Sequence, residues 1–118
     1  MLGVDTMKES LIILVLCLFL FGCNSSYAKL DIETLMMENE YIIVDVRTKE
    51  EYEESHLVDS INLPYDEIDE NTNLSPEKII FVYCKSGRRS QVAYSILTKL
   101  GYTVYDLGAF SEIDLPKE

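Results

Sequence analysis

Apolar and polar positions follow two rhythms along this chain. Tyr41-Ile42-Ile43-Val44-Asp45-Val46 and Ile79-Ile80-Phe81-Val82-Tyr83 are short, β-branched and almost continuously apolar, as in strands buried on both faces of a sheet. Ser60-Ile61-Asn62-Leu63, ended by Pro64, and Thr103-Val104-Tyr105 predict two shorter strands. The intervening segments change period. Asp31 is placed to cap a helix through Ile32, Leu35 and Met36. Thr48 is followed three residues later by Glu51, a capping box that opens a charged helix towards Ser55. Tyr65 to Glu70 reads as one or two helical turns, and Pro76 breaks the chain again. Val92, Ala93, Ile96, Leu97 and Leu100 recur at helical spacing within Ser90 to Leu100, with Gly101 as a C-cap. Strands alternating with helices predict a single α/β domain with a mainly parallel sheet.

The N-terminal segment has neither rhythm. Residues 11 to 21 are eleven consecutive apolar residues, long enough for roughly half of a ~30 Å hydrocarbon core. That length matches the apolar region of a secretory signal, with Lys8 just upstream. The acid-bearing MLGVDT fits such a leader poorly, so translation from Met7 is expected. Leu20-Phe21-Gly22-Cys23, followed by Asn24-Ser25-Ser26, resembles the lipobox of bacterial lipoproteins, with Phe21 bulkier than usual. The resemblance implies a signal peptide over 1–22, a lipidated Cys23 with a polar tether over 23–29, and a domain over 30–118. It also implies an exported protein held on the periplasmic or extracellular face of a membrane. Beside the lipidated Cys, Asn24 in place of Asp favours outer-membrane sorting where an outer membrane exists.

Composition narrows the partners. The 118-residue chain has a one-domain length, with 10 Lys+Arg against 21 Asp+Glu and a net charge of −11. Loss of residues 1–22 would leave a net of −10. Nucleic acid is excluded as a partner, because it requires a basic stripe. Adsorption to anionic lipid headgroups is excluded on the same ground. Any anion must therefore meet a local cluster of cations. A monomer is expected.

Such a cluster surrounds Cys84. Of the three cysteines, Cys17 belongs to the leader and Cys23 to the lipobox, which leaves Cys84 without an intrachain disulfide partner. It lies where a strand ends and a helix is about to start, in Cys84-Lys85-Ser86-Gly87-Arg88-Arg89-Ser90. Parallel sheets present ligands at this end of their strands. A loop there can turn backbone N–H groups inward as an anion cradle, and Gly87 permits the positive φ of a tight turn. Lys85, Arg88 and Arg89 add positive charge, which favours thiolate over thiol. Cations fit poorly at a helix N-terminus unless an anion is bound there.

Ile43-Val44-Asp45-Val46-Arg47, Glu51-Tyr52, His56-Leu57, Ser60-Ile61-Asn62-Leu63-Pro64 and the Cys84 loop, in this order, together resemble a rhodanese-homology domain from about Leu30 to Leu115. The resemblance implies a five-stranded parallel sheet flanked by helices, with Cys84 as the catalytic residue and Lys85, Ser86, Gly87, Arg88 and Arg89 as the substrate-binding loop. It implies a sulfurtransferase, with thiosulfate or another sulfur-anion donor and a thiol or cyanide acceptor. Six residues from Cys84 to Arg89 is the loop length of sulfurtransferases in this fold. Related phosphatases and arsenate reductases have one residue more, with Arg where Ser90 stands. The chain departs from the family at Ser55 (usually Gly), at Val58-Asp59 (usually Pro-Gly) and loosely at Leu107-Gly108-Ala109-Phe110.

Other residues have structural readings. Asp45 and Arg47 are expected as an internal ion pair and His56 as a hydrogen-bonded turn residue. The acidic runs Glu50 to Glu54 and Asp66 to Glu70 are expected as solvated helix faces. No metal or cofactor is called for, since His56 has no neighbouring ligand set. Two other functions compete with the enzyme: a non-catalytic binding or sulfur-carrier module of the same fold, and a phosphatase or arsenate reductase.

Overall fold

The two apolar runs become the centre of the sheet. In the computed structural model, which describes residues 24–118, β1 (Tyr41–Asp45) and β3 (Ile79–Cys84) pair in parallel from Tyr41–Ile79 to Asp45–Tyr83. The short β2 (Ile61–Asn62) flanks β1, and β4 (Val104–Ala109) flanks β3, giving the order β2-β1-β3-β4. Every pairing in this sheet is parallel.

The α/β architecture expected from the rhythms is therefore present, with four strands rather than five among the described residues. The C-terminal segment adds a single antiparallel bridge, Leu57 to Lys117. It is supported by His56 N–H to the Glu118 carbonyl at 2.8 Å and the reciprocal bond at 2.9 Å. Pro116 has no N–H to donate, which limits the ladder to this bridge.

The helices follow their caps. The first, α1 (Asn24–Glu38), belongs to a compact unit separate from Asn39–Glu118. It starts seven residues before Asp31, which lies inside the helix instead of capping it, and residues 24–29 are helical. The signal segment and Cys23 lie outside the described residues.

In the second unit, Thr48 caps α2 (Lys49–Glu54) through the reciprocal capping box with Glu51. Tyr65–Glu67 is a short 3-10 turn. The long helix α3 (Arg88–Lys99) ends where the sequence placed a stop. The Gly101 N–H meets the Thr98 carbonyl and the Tyr102 N–H meets the Leu97 carbonyl, both at 3.1 Å, with Gly101 at φ +98°. This double closure is a Schellman motif.

One face of the sheet, through Val44, Ile80, Val82, Cys84 and Val104, packs with Ala93 and Leu97 of α3 in the main core. Alternation turns Phe81 and Tyr83 to the opposite face. There Tyr83 stacks with Phe110 at 5.6 Å and its hydroxyl accepts the Leu57 N–H at 3.0 Å. A bulge in β4 sets Tyr83 opposite Gly108 immediately after Val82 opposite Asp106. Gly108 takes φ +82° to make it.

Candidate active site

The buried strand β3 carries Cys84 to the edge of the core, and the chain then turns through three residues into α3. Gly87 makes the turn as the N-cap of α3, at φ +93°. Its α-carbon passes close to the β4 bulge, where an added Cβ would lie 3.8 Å from the Gly108 Cα. Glycine at both places answers to backbone geometry, not to side-chain chemistry.

The turn aims donors at sulfur. The Gly87 N–H donates to Cys84 Sγ at 3.0 Å, and Sγ and the Ser90 hydroxyl oxygen are 3.5 Å apart. The Ser90 hydroxyl in turn donates to the Gly87 carbonyl at 3.1 Å. Burial is the largest influence on the thiol and opposes ionisation. The Ser90 hydroxyl and the N–H groups of Ser90, Gly87 and Ser86 together outweigh it, so the thiol lies below its ordinary value. Sγ is thus held by the loop, although Cys84 has no exposed surface.

The cations are distributed unequally. Arg89 makes a bidentate pair with Glu51, Nη1 to Oε1 at 2.7 Å and Nη2 to Oε2 at 3.1 Å. This hydrogen bond, opposed by partial burial, depresses the Glu51 carboxyl from 4.5 to about 2. Glu51 is therefore not one of the solvated acids expected of this helix; it lashes α2 to the start of α3. Lys85, Ser86 and Arg88 are exposed.

The other motif residues build the floor around the loop. Asp45, fully buried, accepts from Arg47 Nε at 2.9 Å and Nη2 at 2.7 Å, as an internal ion pair should. The Arg47 guanidinium also lies 4.5 Å over the Phe110 ring. Asn62 Nδ2 donates to the carbonyls of Asp45 and Arg47, both at 3.0 Å. His56 Nδ1 donates to the Tyr52 carbonyl at 2.7 Å, and its ring stacks on Tyr52 at 3.9 Å. Nε2 lies 3.1 Å from Glu118 Oε1, and both contacts suit a turn-anchoring residue.

The Leu57–Ser60 turn explains the Val58-Asp59 departure. Its Ser60 N–H closes on the Leu57 carbonyl at 3.1 Å, with Asp59 in the left-handed region at φ +65°. Pro-Gly is the natural occupant of the second and third positions of such a turn.

A cavity of about 310 Å³ opens beside the loop, lined by Arg47, Glu51, Glu54, Lys85, Phe110 and Ser111. Among the described residues no cluster of three or more His, Cys, Asp or Glu side chains could hold a metal ion. No described helix is long and apolar enough to cross a membrane. The sequence reading missed Ser90, Glu51, Glu54, Phe110 and Ser111 as parts of this region. For Ser90 a signal existed: it is the first residue beyond the six-residue loop.

Five ordered motifs, one strand-to-helix loop and a parallel sheet meet here, and the chain belongs to the rhodanese-like domain family, whose model matches residues 29–113. It is 38% identical over 78 residues to the thiosulfate sulfurtransferase PspE of Escherichia coli (strain K12), covering 63% of this chain and 75% of PspE. A probable molybdopterin-synthase adenylyltransferase of Porphyra purpurea is 42% identical over 92 residues, 69% of this chain. The chain spans only 24% of that larger protein. Among solved structures, a rhodanese with anions from E. coli matches with a TM-score of 0.56 and 32% identity, over 66% of this chain and 96% of that one.

Proposed function

We propose that this protein is a sulfurtransferase that takes a sulfane sulfur onto Cys84 as a persulfide and passes it to a thiophilic acceptor. The observation that carries this reading is the Gly87 N–H directed at Sγ at 3.0 Å, with the Ser90 hydroxyl oxygen 3.5 Å from the same sulfur. With thiosulfate as donor, the Cys84 thiolate attacks the outer sulfur, the S–S bond breaks and sulfite leaves with the electron pair. The loop amides then hold the persulfide charge until cyanide or a thiol removes the outer sulfur. Lys85 and Arg88 supply attraction for an incoming anion, whereas Arg89 is engaged by Glu51. Its similarity to PspE and to a rhodanese solved with anions supports this reading.

The test is thiocyanate formation from thiosulfate and cyanide, with intact-mass detection of one added sulfur. The parent chain should show both, and Cys84→Ser neither. A Cys84→Ser protein as active as the parent would overturn the proposal.

One observation favours a second reading, a module that binds or carries sulfur without turnover: Cys84 has no exposed surface. Persistent absence of the sulfur adduct after donor treatment would select the binding form. A stable adduct that no acceptor discharges would select the carrier. A phosphatase is disfavoured by Ser90 in place of the longer loop's Arg, and Cys84-dependent hydrolysis of an aryl phosphate would revive it.

The same proposal places the protein outside the cytoplasm as a monomer anchored through lipid on Cys23. Intact mass of the membrane-extracted protein should show cleavage before Cys23 and added acyl chains.

A further inference from the structure

The cavity beside the Cys84 loop has a charge pattern poorly suited to a simple dianion. Two of its four charged walls are already engaged. Arg47 pairs with Asp45 at 2.7 Å, and Glu51 pairs with Arg89 at 2.7 Å. Two further ion pairs, Lys49–Glu53 and His56–Glu118, involve neither Lys85 nor Glu54. Lys85 and Glu54, both exposed, therefore line one cavity with no ion pair of their own among the described residues. They are opposite charges, accompanied by the Ser111 hydroxyl and the Phe110 ring. At about 310 Å³ the space is at the small end of ligand pockets. Lys85, next in sequence to Cys84, links the cavity to the sulfur-bearing loop.

From these features we infer that the cavity is the donor subsite for a small zwitterionic persulfide, an α-amino acid carrying a terminal S–S–H, with Glu54 as the residue that selects for its ammonium. This rests on the sulfurtransferase reading and specifies its donor. The donor carboxylate pairs with Lys85 and its ammonium with Glu54, which turns the S–S–H end towards the loop. Thiosulfate carries two negative charges and no cation, so Glu54 repels it. In the transfer step, Cys84 thiolate attacks the outer sulfur of R–S–S–H. The new Sγ–S bond forms as the donor's S–S bond breaks, R–S⁻ leaves with the electron pair, and the proton stays on the transferred sulfur. Sulfane sulfur is passed on with no external oxidant or reductant.

The experiment measures loading of Cys84 in the full chain, by mass, from four donors. Cysteine persulfide carries both charges, cysteamine persulfide only the ammonium, 3-mercaptopropionate persulfide only the carboxylate, and thiosulfate neither recognition group. The parent should load fastest from cysteine persulfide. Glu54→Gln should raise KM roughly three- to five-fold for the two ammonium donors, as expected for one exposed ion pair. It should leave kcat unchanged and spare 3-mercaptopropionate persulfide. Thiosulfate loading should hold or improve.

Independently of any variant, S-methylcysteine should compete with cysteine persulfide for the parent, whereas propionate should compete far less. Equal losses for all donors in Glu54→Gln, no loss for any, or equal competition by the two inhibitors would each overturn the donor assignment while Cys84 still loads. Failure of all four donors to load Cys84 would instead overturn the sulfurtransferase reading itself.

Discussion

Glu51 has two separable jobs, and Glu51→Gln removes just one of them. Its carboxylate closes the capping box, lying 3.3 Å from the Thr48 N–H, and also clamps Arg89. Glutamine retains the first role, since the motif accepts either residue, and abolishes the charge. The Glu51 carboxyl lies at about 2 against an ordinary 4.5, chiefly because of the Arg89 hydrogen bond. Taken at face value that depression is about 3 kcal/mol. Both side chains are 26% exposed, so screening by solvent reduces the expected cost to about 1–2 kcal/mol. The sign is fixed by linkage. A depressed carboxyl stabilises the fold fully above its unfolded value, and the contribution disappears as pH falls through the folded value. Urea unfolding of the full chain should show Glu51→Gln less stable by that amount at pH 7. The gap to the parent should narrow between about pH 4.5 and about pH 2. Glu51→Ala should lose a further ~0.3–1.5 kcal/mol, because it also opens the cap. A variant within 0.5 kcal/mol of the parent at pH 7 (about the scatter of surface substitutions), or a gap that persists undiminished at low pH, would refute the clamp.

Three other substitutions probe the site and its supports. Ser90→Ala removes the hydroxyl that lies 3.5 Å from Sγ and whose hydrogen bond lowers the thiol, so the pH midpoint for alkylation of Cys84 by iodoacetamide should move upward; an unmoved midpoint would show that this hydroxyl does not support the thiolate. Asp45→Asn leaves the Arg47 guanidinium buried without its counter-charge, and should cost about 3–5 kcal/mol in urea unfolding, whereas a cost below about 1 kcal/mol would mean the pair is not coupled. Asp59→Gly should stabilise by about 0.5–1 kcal/mol, because glycine relieves the left-handed strain at some expense in chain entropy; destabilisation would show that the Asp59 side chain contributes to the turn.

Local signals read well in this chain, and distant partners did not. The Thr48–Glu51 box, the Gly101 stop and the apolar run of β3 each depend on residues within a few positions, and each stands where the pattern placed it. The Asp45–Arg47 pair was legible for the same reason, since the two are separated by two positions. The Glu51–Arg89 clamp spans 38 positions, so the local capping rule that singled out Glu51 could not reveal its second partner. The β4 bulge that brings Gly108 beneath Gly87 was equally invisible, because it depends on register between strands. Asp31 failed as a cap since a good capping residue can also lie on a helix already under way. The fifth strand came from family likeness; Pro116 and a single bridge at Leu57 are what this chain has in the C-terminal segment.

The distribution of charge changes how the sulfur is understood. Three cations close to Cys84 in so acidic a chain suggest that positive side chains hold the thiolate. In the folded site Arg89 faces Glu51, and Lys85 and Arg88 are exposed, where water screens them strongly. Arg89 adds a Coulombic attraction to Cys84, but the groups that lead in favouring its ionisation are the Ser90 hydroxyl and backbone N–H groups. These are neutral dipoles, fixed by the turn, and they act where screening is weak. Burial opposes the thiolate more than any single one of them supports it. The ionised sulfur therefore depends on several donors acting together, and on the Gly87 turn and the Glu51–Arg89 clamp that keep them converged. On this view the exposed cations govern which donors approach and how salt affects their arrival, while the acidity of Cys84 follows the geometry of the loop. Raising ionic strength should accordingly slow loading from charged donors and leave the alkylation midpoint of Cys84 nearly unchanged. A midpoint that climbs with salt in parallel with the loading rate would return the cations to the central role.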